Sequence, residues 1–220
     1  ESGADDGNGT GQWLRTPEKL REFAARVDGG GLQAAVHAIG DEAIAATLDA
    51  FEGVDETARH RIEHAEVCTD ELIERLGHSH LVVSAQPNFL KWAREDGLYE
   101  ARLGSERRRN TNRFGDLLDA GVRLAFGSDC MPLDPLFGVQ QAVTAPTAAQ
   151  RLTVTEAMRA YTLGSACAGF DEDSLGTIEA GKRADFTVLE RSPWEVPTEE
   201  IADIEVSMTV VDGEMVYDAR

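Results

Sequence analysis

The sequence predicts an α/β protein built from four successive βα units, half of an eightfold barrel, followed by a short all-β segment. Three observations predict it. Apolar, β-prone runs end near His37, His64, Gln86 and Asp129, and these ends lie 27, 22 and 43 residues apart. A βα unit takes roughly 30 residues, so the intervals suit successive units with an insertion in the last. Stretches of helical apolar spacing fall between the runs, and from Ser174 the pattern changes to short strands and turn residues.

Residues 1–12, rich in Gly, Asp, Asn and Ser, read as a loop. Thr16 as N-cap and Pro17 at the first helical position open a helix through Leu20, Phe23 and Ala24, and Asp28-Gly29-Gly30-Gly31 ends it. These glycines fit a dinucleotide fingerprint only formally, because they precede the apolar run instead of joining strand to helix. Residues 32–36 read as a strand with His37 at its carboxyl end, and Asp41 as N-cap opens a helix over Ala43, Ile44, Leu48 and Phe51. Residues 59–64 form the next strand, and Thr69 caps a helix through Leu72, Ile73 and Leu76. Pro87 stops a third strand over 81–87. Residues 88–112 read as a long polar connection carrying Trp92 and Arg107-Arg108-Arg109, of a length more often functional than idle. A helix over 113–120, a strand over 122–126, a helix over 136–143 and a capping-box helix from Thr153 to about 168 complete the barrel part. Short strands over 176–178, 184–189, 204–211 and 214–217 make up the tail, the last two joined by an Asp212-Gly213 turn.

Composition excludes several classes. Hydrophobic residues make up 42% of the 220, which argues against disorder. No run approaches the roughly 18–20 apolar residues of a membrane helix, and the acidic start Glu1-Ser2-Gly3-Ala4-Asp5-Asp6 is unlike a signal peptide, so a soluble cytoplasmic protein is expected. A net charge of −19 is wrong for nucleic acid or an anionic membrane surface, both of which need Lys and Arg to meet phosphate. Asp and Glu number 40 and the only lysines are Lys19, Lys91 and Lys182, a balance similar to that of proteins from salt-loving organisms, in which bulk salt screens self-repulsion. Three scattered cysteines, Cys68, Cys130 and Cys167, make neither a disulfide framework nor a zinc ribbon.

In a (β/α) barrel the chemistry sits at the carboxyl ends of the strands. His37, His64 and Asp129 all occupy such ends, so they are expected to converge. Neutral imidazole binds zinc and similar divalent metals, and a carboxylate binds metal or takes a proton from water. A single strand-end histidine is more often structural; three matched placements favour a metal site. His60 lies four residues before His64, about 13 Å away along a strand, and reads as structural. His78-Ser79-His80 precedes its strand, on the side of the barrel away from the chemistry. Helix capping accounts for Asp41, with support of the metal site as its functional alternative. Arg61 and Glu63 share the strand face opposite His64 and are expected to pair. Gln86, Asn88 and Arg107 are the candidate substrate contacts. A thiol enzyme using Cys130 would lack a nucleophile elbow.

Taken together, His37-Ala38-Ile39-Gly40-Asp41, Arg61-Ile62-Glu63-His64-Ala65, Ser84-Ala85-Gln86-Pro87 and Phe126-Gly127-Ser128-Asp129 resemble the metal-dependent amidohydrolase superfamily, most of all its YtcJ-like branch. Leu103-Gly104-Ser105-Glu106-Arg107 and the tail from Gly176 to Phe186 resemble that branch as well. The resemblance implies the C-terminal half of a TIM barrel, strands five to eight, over residues 1–173, and part of a small β-sandwich domain over 174–220. It implies that His37 and His64 hold one divalent metal, zinc foremost. Asp129 would bind a second metal and deprotonate the attacking water in hydrolysis of an amide-like C–N bond of a small molecule. The His-x-His pair and bridging carboxylated lysine of the superfamily have no counterpart here. The chain is therefore expected to be part of a longer enzyme, to hold metal weakly or not at all, to be inactive alone, and to form a homo-oligomer through its open edges. The alternative is a non-catalytic regulatory protein on the same scaffold.

Overall fold

Four short strands pair side by side, with one face of the sheet against helices and the other left uncovered over its first two strands. They are β1 (Ala35–Ala38), β2 (Arg61–His64), β3 (Val82–Ala85) and β4 (Arg123–Phe126), all parallel and in that order. This arrangement belongs to a computed structural model that describes residues 11–219 except residue 131. The loop expected over 1–12 thus lies, as far as residue 10, outside the described residues.

Parallel strands need crossover connections, and helices supply them. α1 (Pro17–Gly29) leads into β1, and α2 (Asp41–Ala50) and α3 (Asp70–His78) link the next two strands. α4 (Leu98–Arg108) and α5 (Phe114–Asp119) lie between β3 and β4. Ile62, Val83, Leu124 and Phe126 from the sheet join Ile44, Leu48, Leu72, Ile73, Leu76, Phe114 and Leu117 in one buried core. The opposite face carries Ala35, His37, Arg61, Glu63, Ser84 and Arg123, none of them buried, while Val82 and Ala125 on the same face are buried in a small second cluster with Ala168.

Local chemistry explains several helix starts. Thr16 and Thr69 accept the backbone N–H of Lys19 and Leu72, and Thr153 and Glu156 complete a reciprocal capping box. One expected cap is corrected. Gly40 is the N-cap of α2, and Asp41 is its first helical residue, its carboxylate accepting the N–H of Glu42 at 3.0 Å, where a negative charge suits the helix dipole.

The long connection expected over 88–112 is also corrected. A 3-10 segment, Pro87–Trp92, buries Phe89 and Leu90, and α4 follows. α4 shows little apolar periodicity and is interrupted at Gly104, where φ is 80°. Charge pairing holds it instead: Arg108 is buried, meets Glu100 at 3.4 Å and donates to the Ala93 carbonyl at 2.6 Å.

Beyond β4, α6 (Pro135–Val143) is capped by Asp134. The helix expected from 153 to 168 forms as α7 (Val154–Arg159), a π-helical turn (Ala160–Gly164) and α8 (Ser165–Gly169). The turn presses on β4 so closely that a Cβ on Gly164 would stand 2.2 Å from the Leu124 carbonyl oxygen.

The tail forms an antiparallel sheet of β5 (Phe186–Leu189), β6 (Val206–Val211) and β7 (Glu214–Asp218). Asp212 and Gly213, with φ of 55° and 80°, make the turn between the last two. The strand expected over 176–178 does not form. Gly176, at φ 87°, packs against the backbone of Leu163, and Ile178 is 89% exposed. A 3-10 segment, Thr198–Asp203, carries the tail back to the barrel part: Ile201 is fully buried, and the Ala202 N–H donates to Gln140 Oε1 at 2.8 Å.

Candidate active site

Register aligns His37 with Glu63 and Glu63 with Ser84, so the three share the uncovered face at one level. His64 is one residue further on and by alternation belongs with Ile62 on the helix side. Its backbone prevents that. His64 has φ 81° and Ala65 has φ 49°, and the Ala65 N–H reaches back to the Glu63 carbonyl at 3.3 Å, closing a three-residue turn on the histidine. The ring comes over the carboxyl edge of the sheet and meets His37 with centroids 4.4 Å apart at 72°. Phe89 lies nearly parallel to it at 6.2 Å.

Asp129 and Cys130 also lie in the left-handed region, at φ 47° and 65°. Such conformations cost about 1–3 kcal/mol each outside glycine and gather where function requires them. Together these turns bring His37, His64, Gln86 and Asp129, from the ends of four different strands, to one cleft of about 400 Å³, which Ala35, Glu63, Ser84 and Gly127 complete.

His64 is buried, and its pKa is pushed below the ordinary histidine value by desolvation first and by His37 next; the Gln86 hydrogen bond and the Asp129 charge oppose the shift. The neutral ring that results is the form that ligates metal. Gln86, also buried, has Oε1 2.7 Å from His64 Nδ1. Arg61 and Glu63 pair at 2.9 Å, as expected, but Glu63 lines the same cleft as His64, whereas alternation sets the pair on the face opposite that histidine.

Other candidates lie elsewhere. Asn88 is fully buried, donates to the Pro132 carbonyl at 2.8 Å and accepts from Tyr161 Oη at 3.0 Å, so it ties the segment after β4 to the π-helical turn and does not line the cleft. Arg107 pairs with Asp41 at 3.2 Å on the surface, and neither reaches the cleft. His60 is structural: Ala34 N–H donates to its Nδ1 at 3.0 Å, and Phe51 packs 4.8 Å from it. His80 pairs with Glu56 at 2.8 Å, and His78 bonds the Glu74 carbonyl within its own helix. Cys68 is buried, its thiol pushed up to about 12 by desolvation, while Cys130 is exposed.

Sequence reasoning missed Glu66 and Tyr99. Glu66 is buried, with Oε1 4.0 Å from His64 Nδ1 and Oε2 accepting from the Tyr99 hydroxyl at 2.5 Å. Burial, then the Glu66 charge, raises the Tyr99 pKa. The only available signal was a glutamate two residues beyond His64; its partner sits on α4, a helix without visible periodicity.

As a metal site the donor set is a partial fit. Two adjacent imidazoles, one held neutral by burial, and a carboxylate in the same cleft suit a divalent cation. Among the described residues, no three of His, Cys, Asp and Glu gather closely enough to enclose one.

The Amidohydrolase family model matches residues 4–217. The chain belongs to the amidohydrolase family. It is 34% identical to the putative amidohydrolase YtcJ of Bacillus subtilis over 97% of this chain and 43% of that protein. It is 30% identical to the N-substituted formamide deformylase of Arthrobacter pascens over 91% of this chain and 39% of the deformylase. Among solved structures it is similar to an uncharacterized metal-dependent hydrolase from Pyrococcus horikoshii OT3, at 32% identity and a TM-score of 0.77, over 89% of this chain and 41% of that one. The chain thus spans less than half the length of the relatives it matches, and the fold is that of part of an amidohydrolase barrel.

Proposed function

We propose that this chain carries one histidine pair and the proton-transferring carboxylate of a metal-dependent hydrolase that cleaves a carbon–nitrogen bond in a small amide-like molecule. The observation that carries the reading is the approach of His37 to His64 at 4.4 Å, beside Asp129 in one cleft. A relative that deformylates N-substituted formamides supports the substrate class. His37 and His64 would hold the cation, zinc foremost; when bound, it supplies Lewis acidity that polarises a carbonyl and lowers the pKa of water. Asp129 takes the proton of the attacking water and returns it to the leaving nitrogen. The Phe89 ring and the burial of His64 keep bulk water from that side of the cleft.

A pair of histidines and one carboxylate is too few to hold the metal firmly, so these 220 residues alone are expected to be inactive. We further propose a cytoplasmic, salt-adapted homo-oligomer with neither nucleic-acid nor membrane partners. Among the described residues no helix is long and apolar enough to cross a membrane.

The test is a chimera joining this chain to the amino-terminal part of the Bacillus subtilis relative, assayed on a panel of N-substituted formamides and other small amides. Zinc-dependent turnover that is lost in Asp129→Asn is expected. A chimera that binds zinc and hydrolyses none of the panel, or turnover indifferent to Asp129→Asn, overturns the reading.

A further inference from the structure

We propose that Gln86 is a positioning residue that locks His64 in the Nδ1–H tautomer, leaving Nε2 as the nitrogen presented to a cation. The inference deepens the metal-dependent reading above and rests on it for its purpose, though not for its geometry.

The orientation begins at the backbone. Gln86 Nε2 donates to the Ser84 carbonyl at 3.4 Å, which turns Oε1 toward His64. An amide oxygen can only accept, so the 2.7 Å contact with His64 Nδ1 requires a proton on that nitrogen. Flipping the amide would set Oε1 against the Ser84 carbonyl, two acceptors face to face. A second group agrees: the Glu66 carboxylate, held by Tyr99, stands 4.0 Å from the same Nδ1 and favours a proton there over a lone pair. Burial of both Gln86 and His64 keeps water from offering an alternative partner. In a neutral ring the proton on Nδ1 leaves the lone pair on Nε2.

His60 shows that the arrangement is specific to this position. It is buried just before the same strand, yet there a backbone N–H, that of Ala34, donates to Nδ1 at 3.0 Å. The proton of His60 therefore sits on Nε2, and two buried histidines four positions apart carry opposite tautomers.

The experiment is two-bond 1H–15N correlation of the imidazoles in the metal-free 220-residue chain at alkaline pH, with the five histidines assigned through His→Gln variants. His64 is expected to show the Nδ1–H pattern and His60 the Nε2–H pattern. In Gln86→Met, which keeps the length but removes the acceptor, His64 shifts to the Nε2–H form while His60 stays unchanged, and cobalt affinity falls roughly 10–100-fold. Gln86→Glu keeps an acceptor and retains the Nδ1–H pattern. Wild-type His64 in the Nε2–H form, or a tautomer unmoved by Gln86→Met, overturns the inference. His60 reports folding in the same spectra; if Gln86→Met loses its His60 signal, the wild-type and Gln86→Glu spectra decide. Cobalt titration of the same samples separates the two readings. An Nδ1–H His64 in a chain that binds no cobalt upholds the positioning role, and the zinc dependence of the chimera then decides the metal-dependent function by itself.

Discussion

His37 and His64 meet edge to face with ring centroids 4.4 Å apart, although alternation assigns one to the open face of the sheet and the other to the covered face. The left-handed turn at His64 and Ala65 makes the meeting possible. A pair assembled in this way contributes two nitrogen ligands, and removing either ring leaves one. His37→Ala and His64→Ala are each expected to weaken cobalt binding by at least the roughly 10–100-fold that loss of a supporting hydrogen bond costs. Asp41→Ala, which removes a surface partner of Arg107, should leave binding unchanged. Equal affinities across the three variants and wild type would remove these histidines from the metal site.

Gly164 sits where the π-helical turn presses on β4, and a Cβ there would stand 2.2 Å from the Leu124 carbonyl oxygen. That neighbour is strand backbone and cannot swing away. Gly164→Ala is therefore expected to destabilise the chain by about 1–3 kcal/mol, the range of overpacked positions. Urea denaturation monitored by far-UV circular dichroism measures it, and an unchanged midpoint would mean that the helix slides freely on the sheet.

The same glycine shows where sequence and structure part company. The capping box at Thr153 and Glu156 is a local hydrogen-bond pattern, so the start of that helix was legible to the residue. Its π interruption depends on how closely it packs against Leu124, which no local pattern records. The strands at His37, His64 and Asp129 were legible because apolar runs end abruptly in polar residues. The grouping of His64 with His37 in one cleft followed from barrel topology, but its route, through positive φ at His64 and Ala65, leaves no mark in composition. Asn88 and Arg107 were misplaced because a polar side chain near a strand mouth looks the same whether it faces a cleft or the protein. Asn88 is bound by Pro132 and Tyr161, and Arg107 by Asp41.

His60 provides a pH prediction. Burial lowers its pKa from 6.5, and its Nε2 is buried with no hydrogen-bond partner among the described residues. Below 6.5 the unfolded chain takes up a proton that the folded chain resists, so stability is full above that value and is lost as pH falls toward the lowered folded pKa. His64 shifts in the same direction. The denaturation midpoint should drop on acidification through the histidine range, before carboxylates protonate. His60→Gln, whose side-chain oxygen can still accept from the Ala34 N–H, should flatten that drop. A pH slope identical to wild type would show that His60 carries none of it.

Salt should act on two levels. Surface pairs such as Arg75–Asp49 and Arg191–Glu200 contribute only about 0.2–1 kcal/mol each and weaken as salt screens them. Against them stand 40 acidic and 21 basic side chains, an excess of 19 negative charges that pairing cannot neutralise. Repulsion among the excess charges outweighs the attraction within the pairs, so added potassium chloride is expected to raise the denaturation midpoint. The same screening permits association. Met215, Val216 and Tyr217 on the outer strand β7 are each at least half exposed, beside exposed Val211 on β6, and an outer strand has unpaired backbone groups to offer a second copy. Sedimentation equilibrium should therefore show a shift from monomer toward dimer as salt rises, and Val216→Lys, which adds a charge at that edge, should hold the chain monomeric. A monomer at every salt concentration would rule out self-association through this sheet, and a midpoint that falls with salt would show that the ion pairs outweigh the repulsion.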